Sequence, residues 1–244
     1  MNKVVFISVV RDFAMYDKCV RNNPNCAKAE FISVDNREKN EGIPIGYNHF
    51  LDSRPIDEEA WYVFCHEDFE LKEPFGPKLD ELNRNQLWGP IGAATEVKCR
   101  VFHKWVLRGQ IEECRKDGTQ HRMVGASVEL GTLVETFDCQ CLIVHSSLVQ
   151  RFRLRFDEHL TFDLYAEDFC IAAKEKADVP SCILPVQACH WSGGSVQPRY
   201  YEQESYLNGK WKNCCYTGTS SWVLGGSPNA FRRLTVFLKS KLVM

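Results

Sequence analysis

The sequence predicts an open α/β fold with helices flanking a central sheet. Three observations carry this. Apolar runs recur at residues 4–10, 29–34 and 60–65, and the near-continuous first and third suit strands buried on both faces, as in a parallel sheet. Helix-compatible segments lie between the runs, the alternation expected of an α/β architecture. Each run ends in acid, at Asp12, at Asp35, and at Glu67 and Asp68.

Taken in order, the first strand stops at Arg11 and Asp12, and a polar helical stretch follows as far as Asn22, Asn23 and Pro24. The second strand leads to Asp35 and Asn36. Residues 42–46 read as a loop and 47–51 as a short helix. The third strand ends at His66, Glu67 and Asp68. Residues 77–82 read as a helix and 88–94 as a fourth strand. Residues 98–120 are charged and broken by Gly109 and Gly118, which reads as an insertion or a mobile loop. Its Lys98, Arg100, Lys104 and Arg108 suit a solvated face better than a phosphate site. Residues 134–138, 141–144 and 182–186 read as core strands, and 166–173 as a helix whose first turn carries Glu167 and Asp168.

Composition narrows the function. The chain has 244 residues and is 44% hydrophobic, enough for a substantial core. Its 30 basic and 32 acidic residues nearly cancel, which gives no support to bulk electrostatic binding, and no nucleic-acid partner is expected. The apolar run after Lys3 is too short for a secretory leader, and no stretch approaches the roughly 20 apolar residues that span a bilayer. A cytoplasmic location is therefore expected. The 12 cysteines contain no Cys-x-x-Cys pair, so reduced, mostly buried thiols are expected rather than disulfides or zinc ligands.

In open α/β sheets ligands bind beyond the carboxyl ends of the strands. Parallel connection brings Asp12, Asp35, Glu67 and Asp68 to one sheet edge. Clustered carboxylates repel unless something positive neutralises them, and a hard divalent cation shared with a substrate phosphate does so. Any one acid after a strand is an ordinary turn or cap residue; the set points to a site.

The order of these blocks resembles the family 2 glycosyltransferases and the wider GT-A group, over residues 4–206. Val34, Asp35 and Asn36 resemble the nucleotide-recognition segment. His66, Glu67 and Asp68 stand where the family carries Asp-x-Asp. Phe156, Asp157 and Glu158, followed by Glu167 and Asp168, resemble the acceptor-side acidic motif, and His190 with Ser192, Gly193, Gly194 and Ser195 resembles the C-terminal histidine and glycine-rich segment. The resemblance implies a GT-A (Rossmann-like) fold with a mixed, mainly parallel central sheet. It divides the chain into a nucleotide-sugar-binding half (1–95), an acceptor-binding and catalytic half of the same domain (96–206), and a C-terminal loop and basic tail (207–244).

The implied activity is transfer of a sugar from a nucleotide-diphosphate donor, uridine-linked, to a hydroxyl of a sugar or lipid-linked acceptor, with inversion. Asp12, Asp35, Asn36 and Glu67 would serve the donor. Asp68, His190 and His66 would hold Mn2+ or Mg2+, which stabilises the leaving diphosphate. Asp168 would be the general base, with Glu167 beside it positioning acceptor or donor. One departure stands out: His66 replaces the first acid of Asp-x-Asp. Imidazole accepts manganese but suits magnesium poorly, so His66 either joins the metal or hydrogen-bonds while Asp68 alone holds the ion. The departure keeps a second reading open, a non-catalytic nucleotide-sugar-binding protein. A nucleotidyltransferase is a third, but the glycine-rich phosphate loop usual after its first strand is missing from residues 9–13.

Further residues have plain and sharp readings. Gly193 and Gly194 form a turn or a donor-closing loop, with Arg199 and Tyr200 as lid contacts. Trp191 and Trp211 are better placed to stack on sugar than Trp61, Trp88 and Trp105, which read as packing. Asn48 holds the loop after Asp35 or caps a turn. Residues 217–227 read as a loop or linker. Residues 230–242 alternate basic and apolar side chains, which suits a helix packed on the core or on another subunit, or one lying on an anionic membrane face as a peripheral contact.

Overall fold

A computed structural model describes residues 3–55, 58–98, 103–115, 117–119, 121–192, 198–220 and 222–224. Strand β1 (Lys3–Val10) leads into a short helix α1 (Phe13–Tyr16), which continues as one π-helical turn over Asp17–Arg21. Strand β2 (Glu30–Asp35), helix α2 (Ile43–Ser53) and strand β3 (Ala60–Cys65) follow. Both β2 and β3 pair parallel with β1, with Val10 opposite Asp35 and Ile7 opposite Phe64. Next come β4 (Phe69–Leu71), α3 (Gly76–Leu79), β5 (Leu87–Gly89) and β6 (Ile91–Lys98). Then come β7 (His103–Cys114), β8 (His121–Ala126), β9 (Leu133–Val134), β10 (Thr136–Phe137) and β11 (Cys141–His145). The remaining elements are α4 (Ser146–Phe152), α5 (Tyr165–Ala177), β12 (Ser181–Ile183), β13 (Ala188–His190), α6 (Pro198–Lys210), β14 (Cys215–Thr217) and β15 (Trp222–Leu224).

Among the described residues the main sheet has seven strands in the order β2-β1-β3-β11-β5-β12-β9. It is mixed: β11 runs antiparallel to β3 and β5, while β12 is parallel to β5. The apolar runs occupy both faces, as their continuity requires. Val5, Ile7, Tyr62, Phe64, Leu142 and Val144 join the core cluster on one face. Val4, Phe6, Trp61, Val63, Cys65 and Ile143 join the cluster on the other.

Several expectations need correction. Helix α2 starts at Ile43 rather than at Tyr47, because Pro44 in its first turn has no N–H to lose there and sets φ for the helix. The fourth strand is two strands, β5 in the main sheet and β6 in a second sheet, separated at Pro90, which cannot donate to a ladder. Most of the presumed insertion is the antiparallel ribbon β6-β7-β8. Its charges are the outward positions of strands, among them Lys104 paired with Glu96 and Arg122 paired with Glu113. Gly109 is not a break but lies within β7 at φ +80°, where an added Cβ would sit 2.0 Å from the Pro90 carbonyl oxygen. Residues 215–224 contain the hairpin β14-β15 rather than a plain linker. The tail, 230–242, lies outside the described residues.

The second sheet carries β10-β6-β7-β13-β4, with β8 on β7. Nine described cysteines are free thiols, as expected, but Cys114 and Cys189 form a disulfide 75 residues apart in sequence. Spacing could not reveal it, because the parallel pairing of β13 with β7 is what brings the two together. Among the described residues no helix is long and apolar enough to cross a membrane.

Candidate functional site

Strands β1, β2 and β3 end along one sheet edge, and a cleft of about 770 Å³ lies beyond them. Arg11, Asp12, Asn36, Glu41, His66, Glu67 and Asp68 come from those strand ends and the loop after β2, Thr161 and Phe162 from the loop before α5, and Ser192 and Arg199 from the C-terminal part. Four carboxylates, Asp12, Glu41, Glu67 and Asp68, face two guanidinium groups, Arg11 and Arg199. A phosphate entering this wall meets excess negative charge unless a cation accompanies it.

The chemistry is densest where β3 gives way to β4. Antiparallel pairing sets His190 on β13 opposite Phe69 on β4, and the Trp191 N–H donates to the Asp68 carbonyl at 3.0 Å. This holds the Asp68 and His190 side chains together, with Asp68 Oδ1 3.4 Å from His190 Nε2 and 4.0 Å from His66 Nδ1. One ligand atom from each of His66, Asp68 and His190 lies within 4.8 Å of the others.

Hydrogen bonding assigns the His66 tautomer. The Tyr165 hydroxyl donates to the Cys139 carbonyl at 2.7 Å, so at 2.8 Å it accepts a proton from His66 Nε2. That leaves the Nδ1 lone pair turned toward Asp68 and His190, the form a metal needs. Burial pushes the His66 pKa down to about 4, with Asp68 pulling it up and His190 pushing it further down, so the ring is neutral near pH 7. For His190 burial opposes charge, but the hydrogen bond to Asp68 and its negative charge outweigh it, and the pKa is raised. Two imidazole nitrogens and a carboxylate oxygen are a donor set for a borderline divalent cation, and they fit manganese better than magnesium. Tyr165→Phe keeps the ring but removes the acceptor that orients His66; the affinity for manganese, read from the free-ion electron paramagnetic resonance signal, should fall roughly 10–100-fold. Unchanged affinity would remove Tyr165 from the account.

The other sequence-derived residues divide. Asp12 lines the cleft and also caps α1, its Oδ1 accepting from Met15 N at 3.0 Å. Glu67 lines the cleft while its Oε2 accepts from the N–H groups of Arg11 and Asp12, at 2.6 and 2.9 Å. Asn36 lines the cleft and closes its loop through two hydrogen bonds with the Glu41 backbone, both 2.8 Å. Asp35 is outside the wall; it points to solvent and is forked by Arg37, whose hydrogen bonds hold its pKa down.

Glu167 and Asp168 also lie outside the cleft wall, since the first turn of α5 turns them into the interior, 2% and 1% exposed. Asp168 accepts from Lys210 Nζ at 2.8 Å and Trp211 Nε1 at 2.7 Å. Burial raises its pKa, and those two donors pull it back. Glu167 accepts from Thr219 Oγ1 at 3.3 Å and from the Cys139 thiol at 3.4 Å, and burial next to Asp138 pushes its pKa up to about 8. Asp138 follows β10 rather than belonging to a strand, and its charge reaches both His66 and His190.

The aromatic expectations change. Trp211 is committed to Asp168, and the Trp191 indole Nε1–H donates to Glu70 at 2.6 Å, with Lys18 3.7 Å over its ring. The aromatic residue in the wall is Phe162, 46% exposed, stacked on His66 at 5.9 Å and covered by Arg199 at 4.8 Å. An aromatic between two acidic motifs was its only sequence signal. Arg199 lines the cleft, whereas Tyr200 is buried and bonded to the Ser220 carbonyl. Gly193 and Gly194 lie outside the described residues. Asn48 holds the 156–158 segment through Phe156 and Glu158, not the loop after Asp35.

No protein-family model matches the chain, and no curated protein matches it in sequence. Solved structures do match. The crystal structure of S. aureus TarS 1–349 aligns with a TM-score of 0.51 and 13% identity, over 98% of this chain and 71% of that one. A second crystal structure of S. aureus TarS aligns at 0.48 and 13%, over 86% and 39%. TarS 1–349 in complex with UDP-GlcNAc aligns at 0.46 and 13%, over 86% and 66%. The first of these matches shows that the chain has a mixed α/β, GT-A-type fold.

Proposed function

We propose that this chain is a metal-assisted glycosyltransferase that takes a sugar from a nucleotide-diphosphate donor and transfers it, with inversion, to an acceptor hydroxyl. The observation that carries the reading is the convergence of His66, Asp68 and His190 in a cleft beyond the parallel strand ends, where carboxylates outnumber guanidinium groups. A cation held there would offset the negative charge that grows on the leaving diphosphate. Asp12, Asn36 and Glu67 take the nucleotide end, and Asp35 reaches it only if Arg37 releases the carboxylate. Phe162 offers an apolar face for a sugar ring, and Arg199 a positive charge beside it. TarS has been crystallised with UDP-GlcNAc and with UDP, which makes uridine nucleotides the first donors to test.

On the acceptor side Asp168 is the general base and Glu167 the positioning acid. An acid bonded to both Lys210 and Trp211 serves as a base only when Lys210 gives up its oxygen. That occupancy favours a second reading, a nucleotide-sugar-binding protein without turnover.

The test is a calorimetric titration of the full chain with uridine diphosphate, with and without manganese, followed by a donor-hydrolysis and transfer assay. Manganese-dependent binding with turnover is expected. Binding without turnover would select the second reading. No binding of uridine, guanosine or thymidine diphosphate in either condition would overturn both.

A further inference from the structure

We propose that Glu112, Cys114, His121 and Cys189 form a second metal site, for a zinc-like cation, on the back of the strand that carries His190, open when the Cys114–Cys189 disulfide is reduced. Strand alternation places the four side chains together. Glu112 and Cys114 are two apart on β7 and share a face. Cys114 is directly opposite His121 on β8, and Cys189 on β13 is in register with Glu112. Glu113 and His190 take the opposite face, toward the donor cleft, so the two metal groups lie back to back across one sheet.

The distances suit a shared cation. Cys114 Sγ is 3.3 Å from His121 Nδ1, which is 2.8 Å from Glu112 Oε1. The three ligand atoms lie within 4.8 Å of one another. A tetrahedral zinc bound at about 2.0–2.3 Å separates its ligand atoms by roughly 3.3–3.7 Å. The sulfur–nitrogen pair already meets this, and the half-buried Glu112 carboxylate, its side chain 34% exposed, has room to open. The sulfurs sit on the buried side, Cys114 and Cys189 being 1% and 0% exposed, while the His121 side chain is 49% exposed and gives access from solvent. Thiolate, imidazole and carboxylate together select a borderline cation over magnesium or calcium.

The disulfide gates both sulfur ligands. A dithiol reductant cleaves the Cys114–Cys189 bond, each protein sulfur leaving as a thiol, and the reductant becomes its own cyclic disulfide. Cation binding then releases the two thiol protons to solvent. With the disulfide closed neither sulfur is a thiolate, and only His121 and Glu112 remain.

The test is a cobalt(II) titration of the full chain, stripped of metal by chelator, before and after dithiol treatment. Cobalt bound to thiolate absorbs strongly in the near ultraviolet, and the sulfur-free His66–Asp68–His190 group cannot give that band. We expect the band to saturate at one equivalent only after reduction, to be lost in Cys114→Ser, and to persist in Asp68→Ala. Because Cys114 is buried, the solvent-exposed His121→Ala keeps the test valid if the serine variant fails to fold; it should weaken cobalt binding by roughly tenfold or more. Absence of a band in the reduced wild type, or a band of unchanged affinity in His121→Ala, would overturn the proposal. Neither result depends on whether the donor cleft binds nucleotide.

Discussion

Asp68→Ala is expected to remove the manganese-dependent part of uridine diphosphate binding, weakening it on the order of 100-fold or more. Asp68 would supply the anionic ligand of its group, its Oδ1 lying 3.4 Å from His190 Nε2. Without it, two neutral imidazoles must hold the dication alone, with no anionic oxygen to offset its charge. The substitution also deprives His190 of the partner that favours its charged form, so a protonated His190 would compete less for the site in the variant. The fold should survive, because the hydrogen bond that ties β13 to this corner uses the Asp68 backbone carbonyl, not its side chain. Calorimetry with and without manganese checks the result. Binding contributed by Asp12 and Asn36 should remain, so a metal-free residual is expected. Equal metal-dependent affinity in the variant and the wild type would rule out Asp68 as a ligand.

Glu167→Gln is expected to stabilise the protein, increasingly so as pH rises. Burial and Asp138 lift the Glu167 pKa from 4.5 to about 8. Between those values the folded chain holds one proton more than the unfolded chain, so folding stability falls as pH rises through that window. The cost is absent at and below pH 4.5 and fully present above about 8, where it is on the order of 3–5 kcal/mol. Glutamine has nearly the same shape and no proton to lose. Its oxygen keeps one of the acceptor roles toward Thr219 and Cys139, and the longer of those contacts, 3.4 Å to sulfur, is weak. The melting temperature should rise on the order of 5–10 °C at pH 8 and hardly change at pH 4.5. A difference that does not vary with pH would show that Glu167 ionises normally. The same variant informs the transfer assay: loss of turnover despite higher stability would place Glu167 with the acceptor.

Much of the architecture was legible because burial on two faces leaves a mark on composition. The runs that became β1 and β3 are apolar without alternation, and each core face takes every second residue. The strand ends were legible too, since a buried run must stop where charge begins; His66, Glu67 and Asp68 follow β3 as the pattern requires. The ribbon β6-β7-β8 was misread because its outward positions are charged and Gly109 imitates a break. In an antiparallel ribbon whose β8 strand is wet on both faces that is ordinary strand composition. Phe162 and Asp138 were missed because neither has a periodic or spaced partner.

Local sequence determined which residues could carry chemistry: carboxylates and a histidine at strand ends, a further histidine after a late strand, an acidic pair in a first helical turn. Tertiary structure decided which of them meet. The pairing of β4 with β13 brings His190 to Asp68 across more than a hundred residues, and that of β7 with β13 brings Cys189 to Cys114. The turn of α5 sends Glu167 and Asp168 inward to Thr219 and Lys210 instead of into the cleft wall. The physical reason is range: burial and backbone preference act over a few residues and leave a periodic trace, whereas contacts across a sheet depend on strand order and register, which no local pattern encodes.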